Sequence, residues 1–564
     1  MHRLIPQRLT LCTLLCVTAF AAAQAPQRTI TRADILRGSY GPYRANNDLL
    51  SYDLNVRVDP EKKFISGKNT IRSRMLKDDV RIQLDLFADL AVDKILLGSI
   101  PLKYEREFNA VFVDFPETLR KNSVYTIDFY YSGYPKETGR FGGIAFKKDS
   151  SGHDWIYTAC QELGASLWWP NKDQQRDEVE SMRLSVAVPT NLVDVSNGRF
   201  QGKTDLGDGY TRYDWLIHYP INNYCVSLNI GNYVHFSDGL KDLTLDFYCL
   251  PEHLEKAKRQ FPQARPMLQC FQKFFGEYPF KKDGYKLIEV PYSGMEHQSA
   301  ITYGNRFANG YLERDWSGVG VSLKFDFIII HESAHEWFGN SVTAADSSDE
   351  WIHEGWGTYA EGVYVEYMFG RQDALKYLNG YKSKITNRAP IISPAGVNST
   401  PPLDQYFKGA LFLNTLRSVI DNDARWWKLV RDFCGRFKYR NIMTEDVVKF
   451  FNEKTGQNLT PIFDQYLRHS DLPTLELKFQ ESGGKVSCRW KADVKDFAMP
   501  VKVGRREDWQ LIRPTTEWKT MKWGMKKDDC EVATDLFYVN VVKMQAQSAT
   551  HKYYVCASLG DDYE

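Results

Sequence analysis

The chain is expected to fold as an α+β multidomain protein, with a β domain first, a mainly helical domain second and a small β-sandwich last. Three changes in hydrophobic period predict this order. Apolar and polar residues alternate at period two to about residue 236, a helical period takes over from His253, and alternation returns after Leu472-Pro473. At 564 residues the chain is also too long for one hydrophobic core.

The first 25 residues are set apart from the fold. His2, Arg3 and Arg8 make a basic start, Leu9 to Ala22 form a short apolar run, and Ala23-Gln24-Ala25 fits a small-residue cleavage site. The run is shorter than the roughly 18 apolar residues of a membrane span and carries Thr10, Thr13 and Thr18. It reads as a cleaved secretory signal over 1–25, which implies a periplasmic or extracellular protein with no stable membrane anchor after cleavage.

Residues 26–236 are assigned to the N-terminal β domain. Alternation marks strands at 52–58, 64–72, 81–86, 124–131, 183–188 and 224–234, with a turn at Asp59-Pro60 between the first two. Residues 237–470 form the second domain, with one strand at 285–290 and helices through the motifs below, 410–420 and 444–454. Residues 471–564 are strand-rich and turn-punctuated, with strands at 474–479 and 537–542, and are too few for a large helical domain.

Composition narrows the function classes. Lys plus Arg number 72 and Asp plus Glu 71, so no charge excess points to a polyanionic partner, and no motif for base or phosphate recognition is present. Nucleic acid is therefore not expected as a substrate. The eight cysteines beyond the signal are scattered with no CxxC pair, so a thiolate metal site or redox motif is not supported. An exported location permits disulfides, and buried free thiols remain equally open.

Chemistry is concentrated in His331-Glu332-Ser333-Ala334-His335, followed after 18 residues by Glu354. Residues four apart share a helix face, so His331 and His335 can aim two imidazole nitrogens at one metal ion. Glu332 is rotated off that face, where its carboxylate can hold a water beside the metal instead of binding it. Glu354, on a second helix beginning near Trp351, supplies the third ligand and leaves a fourth position open. The apolar run Phe327 to Ile330 buries the start of the first helix. A buried carboxylate with no task would cost several kcal/mol, so chemistry is the simpler account of Glu332.

HESAHEWFGN with WIHEGWGTYAE resembles the gluzincin zinc aminopeptidases, the group of aminopeptidase N and leukotriene hydrolase. The resemblance spans almost the whole chain after the signal and is most specific between Gly294 and Gly409. It implies a thermolysin-like zinc catalytic domain, one Zn2+ per chain, and peptide substrates with a free N-terminus. Ser293-Gly294-Met295-Glu296-His297 is similar to the family's G-x-M-E-N motif, so Gly294, Met295, Glu296 and His297 are expected at the substrate. Glu296 would pair with the free amine. Ser293 and His297 depart from the usual Gly and Asn, although histidine can still donate to a peptide carbonyl.

Tyr406-Phe407-Lys408-Gly409 looks like the family's Y-x-K-G and makes Tyr406 the donor to the oxyanion. Thr158 to Glu162 is similar to the family's T-Q-x-[QE] stretch, which puts Gln161 at the first substrate residue, although Ala159 replaces the usual first Gln. Glu361, seven residues after Glu354 on the same helix face, matches the carboxylate that holds a ligand histidine. The expected function is an exported zinc aminopeptidase with Glu332 as general base. The alternatives are a zinc endopeptidase or epoxide hydrolase on the same scaffold, and a silent peptide-binding protein. Sequence does not set the oligomeric state or the side-chain preference.

Overall fold

A computed structural model describes residues 29–138, 143–480, 484–506 and 508–546. The signal segment and Cys556 lie outside these residues. Among them, no helix is long and apolar enough to cross a membrane, and all seven cysteines are free and buried.

The first region is built on strand Asn47–Asp59, whose inward residues Leu54, Val56 and Val58 are buried while their neighbours are half-exposed. It pairs antiparallel with Phe64–Met75 and parallel with Ser181–Pro189, at the centre of an eight-stranded sheet. A three-stranded and a four-stranded sheet complete the region around one apolar core. The alternating stretch 224–234 is not one strand. Asn222 caps a 3-10 turn at Asn223–Cys225 by accepting from the Tyr224 amide, and pairing resumes at Asn229–Gly231 and Val234–Leu240 in two different sheets. A side chain that satisfies the local backbone competes with a ladder, and alternation alone does not reveal it.

Strand Val234–Leu240 and its partner Leu243–Cys249 belong to a five-stranded mixed sheet, continued by Tyr285–Glu289, Ile301–Tyr303 and the edge strand Gly294–Met295. Three helices carry the metal and tyrosine motifs, and the first of them packs against this sheet. Phe327–Ala334 starts at Asp326, whose side chain accepts from the Ile329 amide. Trp351–Phe369 stops at Gly370, and Asp404–Ile420 crosses it closely. At that crossing a Cβ on Gly409 would sit 2.9 Å from the Gly355 Cα, so the backbones touch because both residues lack side chains.

The last region has two sheets, one ordered Lys519–Trp523, Gly484–Lys491, Thr474–Phe479, Asn540–Gln545 and the other Asp508–Ile512, Val501–Arg505, Glu531–Val532. Its strand expected at 537–542 begins only at Asn540, because Phe537 is spent in the core and the Tyr538 amide donates to Thr415 Oγ1. The order is therefore a β-rich region, a helical region and C-terminal strands, as the hydrophobic periods predict.

Candidate active site

Helix Phe327–Ala334 is buried along its whole length and helix Trp351–Phe369 through its first fifteen residues, so the ligand-bearing turns face each other away from bulk water. His331 Nε2 and His335 Nε2 are 3.4 Å apart, and Glu354 Oε2 is 3.6 and 3.3 Å from them. Each histidine's other nitrogen is engaged. His335 Nδ1 donates to the Phe338 carbonyl at 2.9 Å, and His331 Nδ1 meets Glu361 Oε1 at 2.6 Å. Acceptors at both Nδ1 atoms fix the protons there and leave the Nε2 lone pairs converging. Glu354 Oε2 is buried without a hydrogen-bond partner at the point where those lone pairs meet. Two imidazoles and a carboxylate around an orphaned oxygen are the donor set of a zinc ion with an open fourth position. The group fits.

Glu361 is itself held, accepting from Tyr377 at 2.7 Å and Tyr381 at 2.5 Å through its second oxygen. Those two tyrosines carry no motif; their i, i+4 spacing is the only trace of a shared face in the sequence.

The metal group lines a cleft of about 530 Å3. Met295 and Glu296 reach it from the edge strand and the residue after it, and Gly294 lies beside them. Glu296 Oε1 accepts from Tyr224 at 2.9 Å and from Gln161 Nε2 at 3.0 Å, and the same Gln161 nitrogen lies 3.0 Å from Glu354 Oε1. Gln161, Glu296 and Glu354 thus form one polar end of the cleft. Burial raises the Glu296 carboxyl, while the Glu332 carboxyl is pushed up to about 7 by burial and the carboxylates of Glu296 and Glu354, against the pull of the histidines. Tyr406 stacks 6.1 Å from the His331 ring, centroid to centroid. Burial, then Glu354, Glu350 and Glu296, hold its phenol far above its ordinary range, so it stays a neutral donor.

The rest of the Tyr406 motif is structural. Lys408 is buried and donates to the carbonyls of His469 and Ser470, each at 2.9 Å, and Gly409 makes the helix crossing.

His297, expected at the substrate, is fully buried and is not among the residues that line the cleft. Burial lowers the His297 imidazole to about 3, which keeps it neutral.

Tyr224 and Glu350 are among the cleft residues that carried no sequence motif. Tyr224 comes from the first region, and Glu350 lies one turn before Glu354, where its carboxyl is pushed up to about 8 by burial and by Glu354 and Glu296. Only the i, i−4 relation to Glu354 could have drawn notice to Glu350.

Three crossing helices over a mixed sheet, with a His-His-Glu group at their meeting point, make this a gluzincin-type metal site. The M1 N-terminal domain of peptidases matches residues 49–224 and the peptidase family M1 domain matches residues 260–466. Together they cover more than half of the chain, and it belongs to the M1 peptidase family. It is 24% identical over 324 residues to leucyl aminopeptidase of Saccharolobus solfataricus, covering 54% of this chain and 40% of that protein. Human endoplasmic reticulum aminopeptidase 1 is 24% identical over 347 residues, or 59% of this chain and 36% of that one. The chain thus matches less than half the length of either relative. Among solved structures, a mutant M1 zinc metallopeptidase of Deinococcus radiodurans bound to a Tyr-Ser-Ala substrate superposes with a TM-score of 0.64 at 20% identity, covering 78% of this chain and 98% of that one.

Proposed function

We propose that the protein is an exported zinc aminopeptidase that removes N-terminal residues from peptides. One observation carries the reading: the cleft has a carboxylate end, made by Glu296 and Glu354 bridged by Gln161, directly beside the His331-His335-Glu354 group. A free α-ammonium has three donors for that end, and charge-assisted bonds of this kind are the strong ones. With the amine held there, the first peptide bond falls at the metal group, so the enzyme counts one residue from the N-terminus.

Zinc, when bound, polarises the scissile carbonyl and makes water a nucleophile near neutral pH. Glu332 takes the proton from the attacking water and passes it to the leaving amine. Tyr406 donates its hydroxyl to the developing oxyanion. Gln161 orients the carboxylates of Glu296 and Glu354, and Met295 with Gly294 shapes the wall against which the first residue rests. Glu361 keeps the His331 ring in its ligating tautomer. Export rests on the basic start, apolar run and Ala23-Gln24-Ala25 of the first 25 residues.

The test is hydrolysis of aminoacyl nitroanilides with free and N-acetylated amines, before and after chelation and zinc return. Cleavage confined to free amines and restored by zinc is expected. Equal cleavage of acetylated substrates would turn the reading to an endopeptidase, and no cleavage of any substrate to a silent binder.

A further inference from the structure

Glu350 is the residue before helix Trp351–Phe369 and projects into the cleft one turn ahead of Glu354. Three of the cleft's carboxylates already have work at the reacting centre. Glu354 faces the histidine pair, Glu332 flanks it, and Glu296 closes the amine end with Tyr224 and Gln161. Glu350 has no such assignment. Its side-chain partners are the Gln405 amide and, at 3.5 Å, Gln161 Nε2, and among the described residues no lysine or arginine forms an ion pair with it.

The cations lining the cleft are committed elsewhere. Arg37 is held by the carbonyls of Leu163 and Asp173 and by the Asp173 carboxylate, and Lys384 lies over the Trp316 ring at 3.8 Å. A second acceptor stands beside Glu350. Gln405 lines the same wall, is only 4% exposed, and has its Oε1 buried without a partner. Ser347, Asn398 and Thr400, polar and modest in size, line the same cleft. An apolar side chain inserted here would strip water from a carboxylate and an amide oxygen and return nothing, whereas an ammonium or guanidinium would satisfy both.

We propose that Glu350, with Gln405 Oε1, makes the first-residue subsite selective for a basic side chain, so that peptides beginning in lysine or arginine are the preferred substrates. This rests on the aminopeptidase reading, because it assumes that Glu296 and its partners hold the α-amine. A site built around buried polar groups discriminates strongly against a substrate that lacks the matching group, since those groups are then left unpaired.

The experiment uses matched pairs that differ in charge but little in shape: lysyl against norleucyl nitroanilide, and arginyl against citrullyl nitroanilide, with alanyl nitroanilide alongside. The zinc-loaded protein is assayed with Glu350→Gln and Glu350→Leu variants, each checked for folding by its thermal melt. The wild-type chain is expected to favour the charged member by tenfold or more in kcat/KM, and both variants to lose most of that ratio. A wild-type ratio near one, with alanyl nitroanilide still cleaved, overturns the inference and leaves the aminopeptidase reading standing. A large ratio that survives both substitutions overturns the assignment to Glu350. No cleavage of any free aminoacyl substrate defeats the aminopeptidase reading, and the preference with it.

Discussion

Gly357→Ala is expected to weaken zinc binding while leaving the fold intact. Gly357 lies in helix Trp351–Phe369 three residues after Glu354, and a Cβ there would stand 3.0 Å from His335 Cε1 and 3.3 Å from its Nε2. Carbon atoms rest at about 3.5–4.0 Å, so the methyl intrudes by about half an ångström. His335 cannot swing freely, because Nδ1 is tied to the Phe338 carbonyl and the ring is 1% exposed. Metal distances tolerate shifts of only about 0.2 Å. Displacing a ligand's support typically lowers affinity by about 10- to 100-fold, or about 1.4–2.8 kcal/mol. The metal-free chain feels two opposed effects, a helix-propensity gain of about 1 kcal/mol and an overpacking cost of about 1–3 kcal/mol.

Competition against a fluorescent chelator measures the affinity, and melts with and without zinc separate metal binding from folding. Gly435→Ala is the control. It sits exposed inside helix Asp423–Phe437 with nothing within 4 Å of its would-be Cβ, so it should gain about 0.5–1 kcal/mol with zinc affinity unchanged. If Gly357→Ala binds zinc as tightly as the wild type, the close approach of this helix to His335 is not what sets the ligand geometry.

Glu332→Gln should keep its zinc, measured by metal analysis after dialysis, yet lose about 100- to 10,000-fold in kcat, the loss expected for a general base; full activity would move the proton acceptor elsewhere. Tyr406→Phe should lower kcat by about 100- to 1,000-fold with little change in KM, as for other oxyanion donors. A rise in KM alone would make Tyr406 a binding residue.

The sequence disclosed those parts of the site that follow from spacing on one helix. His331 and His335 share a face, Glu354 and Glu361 share another, and both pairs meet as expected because helical geometry is local. His297 shows the limit of a motif, which gives an order of residues but not their directions: Met295 and Glu296 line the cleft, and His297 is buried outside its lining. Tyr224 was illegible because the partners that bring it to the cleft are distant in the chain, and Glu350 because only its place one turn before Glu354 marks it. The fold followed the hydrophobic period wherever burial governs, and failed at 224–234 and 537–539, where polar side chains and long-range hydrogen bonds claim the backbone instead.

The helix that bears Tyr406 meets the C-terminal region through main-chain atoms. Lys408 takes the carbonyls of His469 and Ser470, Asn414 those of Asp535 and Leu536 at 3.3 Å each, and Thr415 accepts the Tyr538 amide. These contacts depend on the path of the strand block, while Leu475, Phe479 and Phe537 pack their side chains into the same core as the helix. The block, which continues past residue 466, where the match to the M1 domain stops, is therefore held both by its path and by its apolar residues. In a chimera, a substitute C-terminal block would have to reproduce these backbone positions together with the apolar residues that share the helix's core.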